Sequence, residues 1–491
     1  MIDGRPILGN SYQTESTRTF RVNDRRTGEV LSGEFSVADE ATTGRAVALA
    51  NEAFRIVRWL SASQRVAFLQ AIARNLESIR TEIVERAMAE SALPEVRLQG
   101  ELTRTINQAL LFAQLIETDG WKDHREVTAL PERTPPRPHI VYEHRPIGPV
   151  VVFGASNFPL AFSVAGGDTV SAFAAGCPVI VKAHPAHPGT SALAGEAIRA
   201  AAEECDLPEG IFSLLYDDLY GVGKQLVQAH GIRGVGFTGS REGGLALKRL
   251  IFERETPIPL FAEMSSVNPS VVMPSVVETR AEAFAEALFG SCSMGVGQFC
   301  TNPGLVFVLG DASVIVAKLK SLMEPAPAGV MLTEGIGNAY LSSFATVAAV
   351  TGVVTVVKPG SAGKPGLLTT TSEVFRAESI LQTEIFGPSL LLVECESLKE
   401  AYECFRSMGG QLTASIHGIA EEVTQDMRFT LEEIAGRILF NQFPTGVEVC
   451  EAMFHGGPFP ATFDGRSTSV GTAAIYRWVR PIAAQNWPVT E

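Results

Sequence analysis

The sequence is short of charge, of paired cysteines and of long apolar runs. Charged residues make up 19% of its 491 positions, against about 25% in average usage. Apolar residues make up 46%, enough for sizeable cores, which excludes disorder as the dominant state. Positive charge is scarcer still: 40 Lys plus Arg against 54 Asp plus Glu leaves a net −14. That balance argues against nucleic acid or an anionic membrane as a partner, while leaving room for a local basic site that binds an anionic cofactor. The seven cysteines, Cys177, Cys205, Cys292, Cys300, Cys395, Cys404 and Cys450, are odd in number and contain no CxxC pair. Reduced thiols are therefore expected, with neither a disulfide scaffold nor a structural metal. The longest apolar stretches, such as Val164 to Val181, are broken by Gly, Asp, Ser and Pro, short of a spanning helix. The opening segment MIDGRPILGNSYQTESTRTF lacks the apolar core of a signal peptide. These absences lead to the expectation of a soluble, cytoplasmic protein.

What is present has a clear rhythm. Leu69, Ile72, Leu76, Ile79 and Ile83 share one stripe, which predicts an amphipathic helix over 61–90. Leu93-Pro94 ends it, and a second helical run follows through Ile106, Leu110 and Ile116. The Pro- and Arg-rich segment 128–147 reads as extended arms or a hairpin of the kind that pairs with another subunit. From residue 148, buried-strand runs at 148–153, 178–182, 211–215 and 234–237 alternate with Ala-rich helical stretches at 160–175 and 190–204. This alternation predicts a parallel sheet covered by helices. Further strands at 269–273, 305–309 and 390–394 predict a second α/β unit after about residue 255. Two such domains plus arms fit the length.

Four short constellations have the composition that chemistry needs. Phe237-Thr238-Gly239-Ser240-Arg241-Glu242-Gly243-Gly244 lies between a strand and a helix, where glycines let backbone N–H groups approach a phosphate; its spacing is not that of the GxGxxG fingerprint, and an ordinary tight turn explains it as well. Gly295-Val296-Gly297-Gln298-Phe299-Cys300 sets a thiol beside glycines, which suits a nucleophile, although a free cysteine is more often an inert buried residue. Glu263 interrupts an apolar strand, where burial would raise its pKa and suit it to general-base work. Asn157, in Ser156-Asn157-Phe158-Pro159 just past the first strand, could donate to a developing oxyanion or simply make a turn.

The order of these features is more specific than any one of them. Asn157 in NFP, Lys182 at a strand end, FTGS, Glu263, a Cys in GQxC, and Glu384-Ile385-Phe386-Gly387-Pro388 together resemble the aldehyde dehydrogenase superfamily, from about residue 20 to 480. Within it, KAHPAHPGTS, EMSSVNP, GVGQFCTNPG, FPTGVEV and GPFPATFDGRSTSVGTAA resemble the α-ketoglutarate semialdehyde dehydrogenases, which oxidise 2,5-dioxopentanoate to 2-oxoglutarate. The resemblance implies two Rossmann-like parallel-sheet domains and a small β oligomerisation arm. It divides the chain into a discontinuous dinucleotide-binding domain (1–127 and 148–255), a catalytic thiol domain (256–450), and an arm and C-terminal segment (128–147 and 451–491). It implies Cys300 as nucleophile, Asn157 as oxyanion donor and Glu263 as the base for thioester hydrolysis. Lys182, Glu384 and Phe386 would meet the cofactor's riboses and nicotinamide half, and Gly239, Ser240 and Gly244 its pyrophosphate. A homodimer or homotetramer is the implied assembly.

Two departures bear on specificity. Met264-Ser265-Ser266 stands where many relatives have Leu-Gly-Gly. Pro185 stands where many NAD-preferring members carry a glutamate, and His184 and His187 are nearby. A carboxylate there would repel a 2′-phosphate, so its absence favours NADP over NAD, or dual use. Arg466 in DGRSTS is the first choice for the substrate carboxylate, since Arg binds carboxylates bidentately, and Phe158 is expected beside the substrate. His455 is read as loop polarity. Another aldehyde, such as succinic semialdehyde or a fatty aldehyde, remains an alternative substrate. A CoA-acylating reaction is disfavoured by Glu263, the hydrolytic base it can do without.

Overall fold

Runs such as Val150-Val151-Val152 and Val179-Ile180-Val181 are buried on both faces, the pattern of β-branched residues in a parallel sheet sandwiched by helices. The computed structural model describes residues 2–13, 16 and 18–488, so positions 1, 14, 15, 17 and 489–491 of the expected domain limits lie outside the described residues. The first sheet has seven strands in the order Leu260–Glu263, Gly234–Thr238, Val150–Phe153, Val179–Lys182, Phe212–Leu215, Ile7–Leu8 and Ser11–Tyr12. Its first five strands run parallel and its last two join antiparallel. The second sheet orders Val354–Val357, Gly366–Thr371, Ser389–Cys395, Leu305–Leu309, Ser270–Val272, Gln411–His417 and Ala435–Phe440. Only its Val354–Val357 edge is antiparallel. The expected α/β class, two parallel-sheet units and an arm, is what forms. Among the described residues no helix is long and apolar enough to cross a membrane.

Several boundaries move, each for a local reason. The single helix expected over 61–90 is two, Ala62–Ser78 and Arg80–Ser91, broken at Ile79 (φ −105°, ψ 15°). Ser61 and Gln64 start the first with a reciprocal capping box. The next helix, Glu95–Glu117, begins directly after Pro94. The stretch expected to be helical from 160 becomes so only over Gly167–Ala175. Before that lies an isolated turn, where the Leu160 and Ala161 N–H groups donate to the Glu101 carboxylate at 2.9 and 3.0 Å.

Leu260–Glu263 pairs with Gly234–Thr238, so the first unit extends to residue 263 and not 255. The arm is a three-stranded antiparallel sheet of Val479–Gln485, Ile140–Pro146 and Arg125–Val127. The segment before its last strand returns to the first sheet. Met264 donates to the Ala461 carbonyl at 2.7 Å and Phe463 to that of Ala262 at 2.9 Å, and Trp478 is wholly buried in the first core. Residues 461–463 thus edge the strand that ends in Glu263, and of the C-terminal segment it is 479–485 that joins the arm.

Candidate active site

Parallel strands of one sheet present their C-terminal ends along one crevice, where ligands bind in folds of this type. Lys182 and Glu263 are the last residues of their strands, Gly239 and Ser240 follow a third, and Asn157 follows a fourth by a short loop. The thiol comes from the other unit. Helix Ala281–Ser293 runs into a loop whose Gly295, Val296 and Gly297 have φ of +55°, +61° and +67°. A β-branched residue at positive φ is strained, and such backbone persists only where its surroundings fix it. Here a Cβ on Gly297 would lie 2.3 Å from the carbonyl carbon and oxygen of Gly387. At Gly297 the Cys300 loop is therefore pressed directly against the Glu384–Pro388 loop. Asn268 holds it from the other side, donating to the Cys300 and Asn302 carbonyls at 2.9 Å each.

Cys300 meets two ionisable partners. His455 Nε2 lies 3.6 Å from Cys300 Sγ and 3.0 Å from Glu263 Oε1, and both partners are fully buried. The Ser469 hydroxyl donates to the other Glu263 oxygen at 2.6 Å. Burial alone would push Glu263 up, but the charge and hydrogen bond of His455, the Ser469 hydroxyl and Arg477 bring it down to about 2. The raised carboxyl expected for a buried base is thus reversed by partners that sequence did not show. Burial and the Glu263 carboxylate push the Cys300 thiol well above its ordinary range, so it needs a proton acceptor to react. The Glu263 carboxylate is hydrogen-bonded to the thiol, and His455, read from sequence as loop polarity, lies between them with Nε2 facing both.

Asn157 is buried, and its side-chain amide donates to the Gln298 carbonyl at 3.0 Å. That bond ties it to the loop carrying the thiol and leaves its second N–H for an oxygen on the substrate carbon. Phe158 is half-buried and makes edge contacts with Phe162 and Phe299, at 5.3 and 5.4 Å between ring centroids. Phe162 in turn lies 6.2 Å from the His455 ring, which gives the site an aromatic wall.

Glu384 and Phe386 line a cavity with Ser266, Gly297, Phe299 and Asn302, directly beside the Cys300 loop. Burial raises the Glu384 carboxyl to about 7, against hydrogen bonds from the Ser265 hydroxyl and the Ser266 N–H. Lys182 is buried, donates to the Asp217 carbonyl at 3.0 Å, and is lowered to about 8 by burial.

A model of the aldehyde dehydrogenase family matches residues 12–469. The chain belongs to that family. Two relatives are α-ketoglutaric semialdehyde dehydrogenase 2 of Azospirillum brasilense, 44% identical over 99% of this chain and 95% of its own, and α-ketoglutaric semialdehyde dehydrogenase of Acinetobacter baylyi, 40% identical over 99% and 93%. Among solved structures, 1-pyrroline-5-carboxylate dehydrogenase from Thermus with bound NAD superposes with a TM-score of 0.84 at 19% identity, covering 99% of this chain and 93% of that one. The protein is accordingly an aldehyde-oxidising dehydrogenase that works with a nicotinamide cofactor.

Its residues suit that cofactor, with changes to the expected roles. Lys182 Nζ keeps two N–H groups free after its bond to Asp217, and Glu384 offers a carboxyl beside Cys300; both suit ribose hydroxyls. Gly239 and Gly244 do not act as a bare phosphate cradle. The Gly239 N–H is spent on the Glu263 carbonyl at 3.1 Å. A Cβ on Gly239 would strike the Phe237 ring at 2.6 Å, and one on Gly244 the Met264 sulfur at 2.5 Å. These glycines make room for Phe237 and Met264, and helix Arg241–Phe252 starts beside them, capped by Ser240 accepting from Gly243 N–H at 3.1 Å. His187 is buried and bonded to the Ala155 carbonyl and the Ser191 hydroxyl at 2.9 and 3.3 Å, so it is structural. His184 stacks on it at 5.5 Å and accepts the Ala186 N–H at Nδ1, which puts its own proton on Nε2. Burial, then His187 and Lys182, keep His184 well below its ordinary pKa.

Arg466 does not occupy the role expected of it. Its side chain is 92% exposed and pairs with Asp464 at 3.1 Å. DGRSTS turns back on itself there, so this guanidinium faces solvent.

Proposed function

We propose that the enzyme oxidises 2,5-dioxopentanoate to 2-oxoglutarate through a covalent thioester on Cys300, using NADP in preference to NAD. The observation that carries the reading is the convergence of Cys300 Sγ, Glu263 and His455 Nε2, whose ligand atoms lie within 4.8 Å of one another, in a chain 44% identical to a named α-ketoglutaric semialdehyde dehydrogenase.

The Cys300 thiol gives its proton to the Glu263 carboxylate, to which it is hydrogen-bonded, as sulfur attacks the aldehyde carbon. His455 Nε2–H and the Ser469 hydroxyl donate to that carboxylate and hold it against the thiol. The carbonyl π pair moves to oxygen, which Asn157 Nδ2 and the Cys300 N–H receive. A bound nicotinamide cofactor would supply the acceptor for the hydride of the former aldehyde carbon. Once the thiol's proton has passed from Glu263 to solvent, the carboxylate draws a proton from water as it attacks the thioester, and the Cys300 thiolate leaves. A carboxyl held near 2 keeps Glu263 ionised for both steps.

The preference for NADP rests on Pro185, which brings no carboxylate to the adenosine ribose, and on the Nε2–H of His184 and the Lys182 ammonium as donors to a 2′-phosphate. The arm sheet, with Val127 and Trp487 exposed along it, supports a homodimer or homotetramer. The test is turnover of purified protein with 2,5-dioxopentanoate, succinic semialdehyde and pentanal, each with NAD and NADP, followed at the reduced-cofactor band. The reading requires the highest kcat/KM for 2,5-dioxopentanoate; a preference for pentanal would overturn it.

A further inference from the structure

We infer that Arg104 binds the far carboxylate of the substrate and so selects aldehydes that end in a carboxylate; this rests on the function proposed above. Helix Glu95–Glu117 presents Arg97, Glu101 and Arg104 along one face, at spacings of four and three residues. Two of the three are already occupied. Arg97 Nη2 donates to the Asn157 carbonyl at 2.6 Å, and its guanidinium lies over Phe158 and Phe299 at 4.8 and 4.5 Å. Glu101 accepts the Leu160 and Ala161 N–H groups at 2.9 and 3.0 Å.

Arg104 has neither a hydrogen bond nor an ion pair among the described residues, and its Nε and Nη2 are buried without a partner. Its guanidinium lies over Phe158 and Phe162 at 5.8 and 5.2 Å. Phe162 contacts the His455 ring, and His455 contacts the thiol, so the cation stands on the same aromatic wall as the reacting sulfur. A third arginine, Arg437, spends Nη1 and Nη2 on the Gly446 and Pro444 carbonyls at 2.9 and 2.5 Å. Of these three arginines Arg104 is the one whose Nε and Nη2 both lack a partner; Arg477 shares that feature, but its Nη1 pairs with Asp168 at 2.7 Å. The Nε–Nη2 edge of Arg104 matches the two oxygens of a carboxylate. A buried cation without a partner is costly. An anionic substrate end would remove that cost, whereas an alkyl end would leave it in place. The discrimination is therefore built into the empty hand of one side chain and not into pocket size.

The test compares wild type, Arg104→Met and Arg104→Lys on 2,5-dioxopentanoate and on pentanal. Arg104→Met should lose about 10²-fold in kcat/KM for 2,5-dioxopentanoate, mostly through KM, the scale of a charge-assisted bidentate pair. Its kcat/KM for pentanal should hold or rise, and Arg104→Lys should recover part of the loss. Equal losses on both substrates, or no loss on either, would overturn the assignment. Should Arg104→Met not fold, inhibition of pentanal oxidation by 2-oxoglutarate decides: the assignment requires a Ki at least tenfold higher in Arg104→Lys than in wild type, and an unchanged Ki refutes it. If wild type itself prefers pentanal, the proposed substrate fails. If wild type prefers the keto acid and Arg104→Met keeps that preference, only the role of Arg104 fails.

Discussion

Replacing His455 by Phe keeps a planar ring in the same space and removes the atom that faces both the thiol and the base. Nε2 lies 3.6 Å from Sγ, and a unit charge pair at that separation is worth about 5 kcal/mol at an effective dielectric of about 20. Glu263 at 3.0 Å competes for the same Nε2–H, so the net contribution falls to that of a hydrogen bond with a charged partner, about 1.5–3 kcal/mol. At about 1.4 kcal/mol per pKa unit, the thiol should rise by about one to two units, and the thiolate fraction at neutral pH should fall about 10- to 100-fold. The carboxyl responds as well: without His455, burial dominates and Glu263 climbs from about 2. Alkylation of Cys300 by iodoacetamide, measured as a second-order rate against pH, reads the thiolate directly and needs neither cofactor nor substrate. The expected result is a rate about 10- to 100-fold lower near pH 7 with the inflection moved to higher pH. Rates within about twofold of wild type from pH 6 to 9, in a variant with an unchanged melting profile, would refute the role of His455 in stabilising the thiolate.

Other outcomes follow from the same geometry. Asn157→Ala should slow formation of the thioester about 10²- to 10³-fold in a pre-steady-state burst, with Cys300 alkylation little changed. Glu384, raised by burial to about 7, accepts a ribose hydroxyl best when ionised. Cofactor affinity should therefore tighten as pH rises through about 7, and Glu384→Gln should flatten that profile in a fluorescence titration. Because the folded pKa is raised, the same group lowers fold stability as pH rises from about 4.5 towards 7, opposite in sign to Glu263. Glu263, lowered to about 2, contributes stability above its unfolded value that is lost as pH falls from 4.5 towards 2. Gly297→Ala combines φ +67° with a Cβ 2.3 Å from the backbone of Gly387. It should lower the melting temperature and displace the thiol, with kcat falling while residual cofactor binding persists.

The parts of this molecule that can be read from sequence are those governed by period and burial. Strands such as Leu305–Leu309 announce themselves because both faces are apolar, and Cys300, Glu263 and Asn157 because each interrupts such a pattern at a strand end or beside glycines. What sequence could not show is which way a loop side chain turns. Arg466 and His455 sit in one glycine-rich C-terminal segment; one faces solvent beside Asp464 and the other lies fully buried against the thiol. The difference is made by residues 461–463 pairing with the edge of Leu260–Glu263, a contact between segments about 200 residues apart. Arg104 escaped notice for the same reason. On a helical wheel it is a polar residue on the flank of an apolar stripe, and only the packing of Phe158 and Phe162 against it reveals that its charge is unpaired. The glycines around Ser240 were legible as glycines, but the rings and thioether they make room for come from Phe237 and Met264.

The pairing of the C-terminal segment with the Glu263 strand also sets the order in which the enzyme becomes reactive during synthesis. Cys300 is made 155 residues before His455, and Ser469, which steadies Glu263, comes later still. A nascent chain that has completed both seven-stranded sheets therefore carries the thiol without its imidazole neighbour. The group around the nucleophile is complete only when the last stretch of chain lies down along the first sheet.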